Sequence, residues 1–213
     1  MMSKNAVTNF IKPYGLIGFL SKVSDSPRVL DVGCGNNSPK RIKNLLPNCY
    51  YVGLDIGDYN QKLSAESIAD EYVICKPEDF ASTIATMDPG FDAVVSSHNL
   101  EHCNDGASTL VAMLETLNPG ALCYLAFPSE ASVNFPSRTG TLNFFDDETH
   151  TKEPPIIADC NCRVEILKPR HRPIFLFILG LLLEPLSFFF RKVMAGTWSL
   201  YGFETIVWIR KNK

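Results

Sequence analysis

A short apolar run that ends in two closely spaced glycines constrains this chain more than any other feature. The segment Arg28–Pro39 reads RVLDVGCGNNSP, with Gly33 and Gly35 separated by one cysteine. Glycine tolerates the backbone angles of a tight turn and lets another group approach the main chain closely. The run therefore predicts a buried strand that brings the carboxylate of Asp31 to a turn suited to binding a ligand.

Segments of strand character alternate with segments of helical character along most of the chain. The predicted strands are Arg28–Val32, Tyr50–Asp55, Glu71–Cys75, Phe91–Ser96, Ala121–Phe127 and Phe203–Arg210. The predicted helices are Pro39–Leu46, Ser64–Ala69, Glu78–Met87 and Gly106–Leu117, and we expect Asn118–Gly120 to stop the last of them. This alternation predicts an α/β fold with a parallel sheet and helices on both faces. A ligand of such a fold binds at the carboxyl ends of the strands.

Composition narrows the class of protein. The chain has 213 residues and is 46% hydrophobic, so we expect one domain over residues 1–213. A net charge of -3 does not indicate binding to nucleic acid. Seven scattered cysteines, and an N-terminal region without a signal peptide, predict reduced thiols in a cytoplasmic protein. Cys160 and Cys162 lack the spacing and the second ligand pair of a zinc site, so we predict no metal.

An acidic residue at the end of the second predicted strand indicates a nucleoside ligand. Asp55 follows the glycine turn by about twenty residues, a position from which a carboxylate can bind both hydroxyls of a ribose. A dinucleotide loop carries a third glycine and receives a pyrophosphate at a helix N-terminus. That glycine is missing here, and the negative charge of Asp31 repels a pyrophosphate but attracts an ammonium group. S-adenosyl-L-methionine (SAM), a nucleoside that carries an amino acid, therefore suits the chain better than NAD.

Four ordered motifs resemble those of class I SAM-dependent methyltransferases. They are VLDVGCG, the acidic end of the second strand, FDAVVSSHNLEH and LNPGALCYLAFPS. The resemblance covers about Ser26–Ser129 and extends more loosely to the final strand. The resemblance implies a Rossmann-like methyltransferase sheet that is mostly parallel, with a late antiparallel strand near the C-terminus. It also implies that the chain is an enzyme with SAM as its cofactor.

The same resemblance implies which residues contact SAM. The implied cofactor contacts are Asp31, Gly33, Gly35, Asp55, Ile56, Ser97 and His98. After the third strand, such enzymes often have an acidic residue near the adenine amine, followed by a free backbone N–H. Lys76 and Pro77 stand near those positions here, and proline has no N–H to donate. We predict that Glu78 takes over the adenine contact, with Asp79 as the alternative.

His98 is one candidate for the base that accepts a proton from the methyl acceptor. It opens the sequence HNLEH just beyond the fourth predicted strand, and imidazole takes up a proton near neutral pH. In the alternative interpretation, Glu101 and His102 cap the next helix and attach it to the sheet. The spacing also resembles an inverted zinc-peptidase motif, which the surrounding methyltransferase-like motifs disfavour.

A long aperiodic segment follows the fifth predicted strand and is expected to bind the substrate, as an insertion over residues 129–159. Its first part, Ser129–Pro155, interleaves aromatic and polar side chains, as a site for a sugar would. Within it, NFFDDETHT is similar to a stretch in bacterial methyltransferases of surface-polysaccharide synthesis. His150 is the leading candidate base, oriented by Asp146 or Asp147. The alternative is an acidic solvated loop with a structural histidine.

An apolar run with basic ends precedes the last predicted strand. Arg172–Lys192 reads RPIFLFILGLLLEPLSFFFRK and lies in a predicted helical insertion over residues 170–199. A bilayer span needs about twenty apolar residues, and Glu184 and Pro185 interrupt this run. Three alternatives remain: a buried helix, a contact with a second copy of the chain, or a contact with the inner face of a membrane.

Taken together, these features predict methyl transfer from SAM to an oxygen or nitrogen nucleophile, with a small molecule such as a sugar or glycan precursor as the acceptor. A lipid or quinone-like acceptor is the alternative if the apolar run lines the pocket. A nucleotide-binding oxidoreductase is a further hypothesis, which the missing third glycine disfavours. A catalytically silent SAM-binding protein is another, and a turnover measurement separates it from an enzyme.

Overall fold

Seven strands form one sheet in the computed structural model of the chain, which describes residues 14–58, 61–128, 155–169 and 204–213, with Ile178, Leu182 and Pro185 as isolated helical positions. The strands are β1 Arg28–Val32, β2 Tyr50–Asp55, β3 Glu71–Ile74, β4 Phe91–Ser97, β5 Leu117–Pro128, β6 Cys162–Pro169 and β7 Glu204–Lys211. Their order is β3-β2-β1-β4-β5-β7-β6. Strands β1 to β5 pair in parallel, whereas β7 is antiparallel to both of its neighbours. The predicted Rossmann-like sheet with a late antiparallel strand is confirmed.

Helices cover both faces of this sheet because successive strand residues point to opposite sides. The helices with described bounds are α1 Leu16–Leu20, α2 Ser38–Leu45, α3 Phe80–Ala85, α4 Gly106–Glu115 and α5 Pro155–Asp159. Tyr51 of β2 belongs to the apolar cluster that contains α1 and α2 side chains. The next residue, Val52, belongs to the cluster that contains side chains of α3, α4 and α5. The two clusters bury the sheet from both sides and hold its strand ends in fixed positions.

Two of the predicted helices are shorter than expected. The segment Ser64–Ala69 forms only a 3-10 turn at Ala65–Ser67. Six residues are too few for a stable ladder of helical hydrogen bonds, so tertiary contacts decide the conformation. The predicted helix Glu78–Met87 instead begins as a 3-10 turn at Pro77–Asp79 and continues as α3.

The Asn-Pro-Gly sequence at Asn118–Gly120 was predicted to stop a helix. In the structure it lies instead near the start of β5. Helix α4 already ends at Glu115, and β5 begins at Leu117. The Asn118 amide donates to Asp92 Oδ1 at 3.0 Å and so fastens this end of β5 to β4. A side-chain contact between distant segments therefore overrides the local turn preference.

Strand β6 was not predicted. It lies at the edge of the sheet, where its outward residues Arg163 and Glu165 are exposed and Glu165 forms an ion pair with Arg210 of β7. Charged residues on an edge strand prevent pairing with other chains, but they also weaken the apolar pattern that identifies a strand.

Most of the two predicted insertions, over 129–159 and 170–199, lies outside the described residues, so the plan of a single domain with these insertions stays a prediction. Within the apolar run, Ile178 and Leu182 are 50% and 69% exposed. Over the part of the chain that the structure describes, no helix is long and apolar enough to cross a membrane. All seven cysteines carry free thiols.

Candidate active site

The turn after β1 lies where the order of the sheet reverses. β1 pairs with β2 on one side and with β4 on the other, and Val32 stands opposite both Leu54 and Ser96. Beyond β1 the chain moves outward through β2 and β3 and then returns to β4 on the other side. Ligands of α/β sheets bind at such a point, beside the carboxyl ends of the strands. The predicted cofactor contacts lie at these ends or just beyond them, so the fold brings them to one edge of the sheet.

Gly33 opens the turn in a conformation that favours glycine. Its φ is +78°, and its backbone N–H donates to Leu54 O at 2.8 Å, which joins the turn to β2. A Cβ atom at this position would lie only 2.4 Å from the Cβ of Asn99. Gly33 was predicted to let a ligand approach the backbone. In the structure, the space that a side chain would fill at this position is occupied by Asn99, in the connection between β4 and α4.

Asp31 is a buried carboxylate beneath the turn, only 1% exposed. Its Oδ2 accepts hydrogen bonds from Ser38 Oγ at 2.6 Å and from Tyr51 Oη at 2.7 Å. Burial raises the pKa of Asp31 to about 6, although these two hydrogen bonds oppose the shift. The position of Asp31 at a strand end is visible in the sequence, whereas its two donors are not. Ser38 is the first residue of α2, a position that does not by itself indicate a contact with Asp31. Nothing in the sequence indicates that the side chain of Tyr51 in β2 bonds to Asp31 in β1.

The rest of the turn is stabilised by residues that were not among the predicted site residues. Asn36 and Asn37 have φ angles of 55° and 62°, in the left-handed region that asparagine tolerates better than most residues. The side chain of Gln61 spans the turn, because its Oε1 accepts from Asn37 N at 3.0 Å and its Nε2 donates to Cys34 O at 2.9 Å. The Asn-Asn pair was the visible signal for this conformation, whereas a contact from a distant glutamine leaves no local pattern.

Asp55 ends β2 and faces the same turn. It is 7% exposed, and its Oδ1 accepts from Ile56 N at 2.7 Å. Burial raises the pKa of Asp55, while the backbone N–H groups of Ile56 and Gly35 oppose the shift. Gly35 and Asp55 are thus close neighbours. The side chain of Ile56 is 53% exposed and leaves an apolar surface next to the carboxylate.

The segment after β3 continues this edge of the site. Cys75 N donates to Asp55 O at 3.1 Å, so the end of β3 stays attached to the end of β2. Glu78 follows in the 3-10 turn Pro77–Asp79, and its side chain is exposed. Its predicted contact with adenine stays a prediction.

The end of β4 carries Ser97 and His98, which are both exposed. The φ of His98 is +56°, and its backbone N–H donates to Ala126 O of β5 at 2.7 Å. The Nδ1 atom of its ring lies 3.2 Å from Oε1 of Glu101, whose side chain is buried. His98 therefore lies at the end of β4 with its ring next to a buried carboxylate.

Within the alternative interpretation, the capping of the next helix by Glu101 and His102 is wrong. Asp105 is the N-cap of α4, and its side chain accepts from Ser108 N at 2.9 Å. Glu101 and His102 lie earlier, in the 3-10 turn Leu100–His102.

The other candidate base, His150, and its predicted partners Asp146 and Asp147 lie outside the described residues. The roles predicted for all three stay predictions. Among the residues that are described, no group of three or more histidine, cysteine, aspartate or glutamate side chains is placed to hold a metal ion.

The electrostatics of the turn favour a cationic ligand. Asp31 and Asp55 are both buried, and the pKa of each is raised because burial disfavours the charged form. Asp55 raises the pKa of Asp31 further. A positively charged ligand would stabilise both carboxylates in their ionised form, and the ammonium and sulfonium groups of SAM match this requirement.

Residues 30–123 match a family model described as a methyltransferase domain. No curated protein matches the chain.

Three solved structures illustrate its likeness in fold. A candidate sarcosine dimethylglycine methyltransferase from Galdieria sulphuraria is 13% identical, with a TM-score of 0.62, over 98% of this chain and 88% of that chain. Magnesium protoporphyrin IX methyltransferase (ChlM) from Synechocystis PCC 6803, with bound SAM, is 10% identical, with a TM-score of 0.52, over 88% and 71%. The cyclase SpnF is 11% identical, with a TM-score of 0.58, over 98% and 80%.

At these identities the solved structures establish the fold, and the cyclase among them shows that the fold serves more than one reaction. The assignment of methyl transfer rests on the domain match, which begins inside β1 and extends into β5. That segment contains the glycine turn, both buried carboxylates and the end of β4. The chain thus has a Rossmann-like fold, and its residues 30–123 are similar to a methyltransferase domain.

Proposed function

We propose that this methyltransferase binds SAM across the carboxyl ends of β1, β2 and β4 and methylates a hydroxyl group of a sugar or glycan precursor. The observation that carries the cofactor site is the pair of buried carboxylates, Asp31 and Asp55, around one glycine turn. Ser38 and Tyr51 both donate to Oδ2 of Asp31, so we assign its Oδ1 to the ammonium group. Asp55 would accept from the ribose hydroxyls.

The adenine ring is assigned to the edge formed by the ends of β2 and β3. The exposed side chain of Ile56 offers an apolar surface for one face of the ring. Glu78, in the turn after β3, is the predicted acceptor for the adenine amine. Ser97 and His98 at the end of β4 would then adjoin the methyl group and the acceptor.

When bound, SAM supplies a methyl group that its sulfonium already activates. The protein therefore has to align the acceptor and remove its proton, and these are contributions of positioning and general-base catalysis. Both demands are compatible with a rigid strand end that carries a histidine.

The acceptor is proposed from the sequence of Ser129–Pro155, in which aromatic side chains are interspersed among polar ones. Aromatic faces and hydrogen-bonding groups together suit the apolar and polar surfaces of a sugar. The exposed side chains of Ile178 and Leu182 favour a second candidate, a lipid or quinone-like acceptor at an anionic membrane surface.

An assay with methyl-labelled SAM tests the acceptor class. The probes are UDP-glucose and GDP-mannose for the sugar class, and dodecyl catechol in anionic vesicles for the apolar class. Label transfer to a nucleotide sugar is the expected result. Transfer to the catechol alone would favour the second candidate, and SAM binding without transfer to any probe would favour a catalytically silent protein.

The substitution Asp55→Ala should weaken SAM binding by about 1.5–3 kcal/mol, or about 10- to 150-fold in Kd, because charge-assisted hydrogen bonds to the ribose are lost. Isothermal titration calorimetry measures the change. Asp159→Ala, which removes an exposed carboxylate from α5, is the control and should leave Kd unchanged. An unaltered Kd for a folded Asp55→Ala protein would show that Asp55 only ends a strand.

Binding of SAM should weaken as the pH falls through about 6, because Asp31 becomes protonated and no longer attracts the ammonium group. The raised pKa of Asp55 adds to the loss in the same direction. The ligand's own amino group stays protonated throughout, since an α-amino group has a pKa of about 7.7–8.0. Calorimetry between pH 5 and 7 should show Kd rising toward low pH, by up to about tenfold per pH unit from the protonation of Asp31.

The matched variant for this pH series is Asp31→Asn. It should bind SAM more weakly at pH 7 and show a smaller dependence of Kd on pH. Equal pH dependence in the variant and the unchanged protein would remove Asp31 from the ammonium site.

A further inference from the structure

A half-exposed histidine stands over a buried glutamate at the carboxyl end of β4. His98 Nδ1 lies 3.2 Å from Glu101 Oε1, and the two side chains are 41% and 2% exposed. The carboxyl group of Glu101 thus lies below the protein surface, and the ring of His98, which can accept a proton, lies at the surface. This is the arrangement in which a carboxylate fixes the orientation and tautomer of an imidazole.

A glutamate is unfavourable at position 101 if its side chain only fills space in the core. Its Oε2 is buried and has no hydrogen-bond partner among the described residues. A buried carboxylate that is only partly paired destabilises a fold relative to an apolar residue of similar size. Such a group indicates a function, and the contact through its other oxygen leads to His98.

The main chain of His98 is also constrained. A positive φ is uncommon for residues other than glycine, and such conformations cluster at functional sites. The hydrogen bond from His98 N to Ala126 O fixes this conformation against the end of β5. The ring is therefore positioned from both sides, by the main chain and by the glutamate.

The segment that carries this pair touches the cofactor turn. Asn99, the next residue, occupies the space beside Gly33, where a Cβ atom would lie 2.4 Å from its own Cβ. His98 consequently adjoins the site proposed for the methionine part of SAM, on the side where β4 ends.

We propose that Glu101 is a positioning residue that holds the His98 ring with its proton on Nδ1, so that Nε2 accepts the proton of the methyl acceptor in the methyl transfer proposed above. The acceptor oxygen forms a bond to the methyl carbon. The bond from that carbon to sulfur breaks, and its electron pair stays on sulfur. The hydroxyl proton moves to Nε2 of His98, and the imidazolium that results is stabilised by the Glu101 carboxylate.

The ring tautomer of His98 tests this assignment without an acceptor and without SAM. The protein is labelled with ¹⁵N in its histidine rings, and two-bond ¹H–¹⁵N correlation spectra report which nitrogen carries the proton. The signal that disappears in His98→Asn belongs to His98. We expect the neutral wild-type ring to be protonated on Nδ1. Glu101→Gln should move the proton to Nε2, because the glutamine amide can donate to Nδ1, and Glu101→Asp should restore part of the original state.

Methyl transfer to UDP-glucose and GDP-mannose provides the second measurement. Glu101→Gln should lower kcat by at least about tenfold while the Kd for SAM changes less than about twofold. Glu115→Gln, which alters an exposed carboxylate at the end of α4, is the matched control and should behave as the wild type.

The results separate this inference from the proposed function. A wild-type His98 ring with its proton on Nε2 would overturn the inference, whether or not Glu101→Gln folds. A Glu101→Gln protein with the wild-type tautomer would do the same. A wild-type protein that does not bind SAM in calorimetry would overturn the proposed function, and the catalytic role of the pair with it.

Discussion

Replacement of Gly33 by alanine should lower the free energy of unfolding by about 3 kcal/mol or more. Two unfavourable terms add at this position. The φ of +78° is strained for any residue with a side chain, and the new Cβ would lie 2.4 Å from the Cβ of Asn99. The Cβ of Asn99 is fixed to the main chain, so rotation of its side chain cannot relieve the contact. Urea denaturation followed by circular dichroism measures the change, and SAM binding should be lost with it.

Gly120→Ala provides the matched control for this prediction. Gly120 has a similar φ of +82°, but its added Cβ would come no closer than 3.8 Å to Lys213. The control should therefore carry only the backbone strain, about 1–2 kcal/mol. Equal losses of stability in the two variants would mean that the contact with Asn99 relaxes at no cost. In that case the turn and the β4–α4 connection are not rigidly joined.

Removal of the His98 imidazole should lower turnover by about 10²–10⁴, the scale for loss of a general base. His98→Ala should lower kcat far more than it raises the Kd for SAM, since the buried carboxylates that attract the cofactor are unchanged. Steady-state kinetics with the labelled methyl group measures kcat, and calorimetry measures Kd.

His150→Ala is the competing variant, because the sequence favoured His150 as the base. His102→Ala, which removes an exposed imidazole next to Glu101, is the control and should keep wild-type turnover. If His150 proves essential and His98 dispensable, the base belongs to the segment after β5, and the pair at the end of β4 has no part in proton transfer.

The sequence predicted those parts of the site that depend on position along a strand. Asp31 and Asp55 lie at the ends of apolar runs, and a parallel sheet places such ends on one edge. The partners of these residues come from elsewhere in the chain and leave no periodic signal. Tyr51, Gln61 and the buried state of Glu101 therefore emerged only from the structure.

The same distinction applies to the fold. The central strands are apolar enough to be identified individually, whereas β6 is an edge strand with a charged outer row. The segment Ser64–Ala69 has helical character but is too short to realise it without tertiary support. Local pattern thus predicted six of the seven strands, including the edge strand β3, and missed only the charged edge strand β6.

The place of β7 between β5 and β6 has a consequence during synthesis of the chain. β7 is the last of the seven strands to leave the ribosome, yet it is an interior strand of the finished sheet. Until it inserts, β5 presents an unpaired edge of apolar residues, and β6 has no strand to pair with. Such edges are sites of misassociation, so we expect the nascent protein to be prone to aggregation until β7 has left the exit tunnel. Completion of the sheet also brings Trp208 to Tyr14, whose carbonyl accepts from the indole at 3.0 Å, and so joins residues from opposite ends of the described part of the chain.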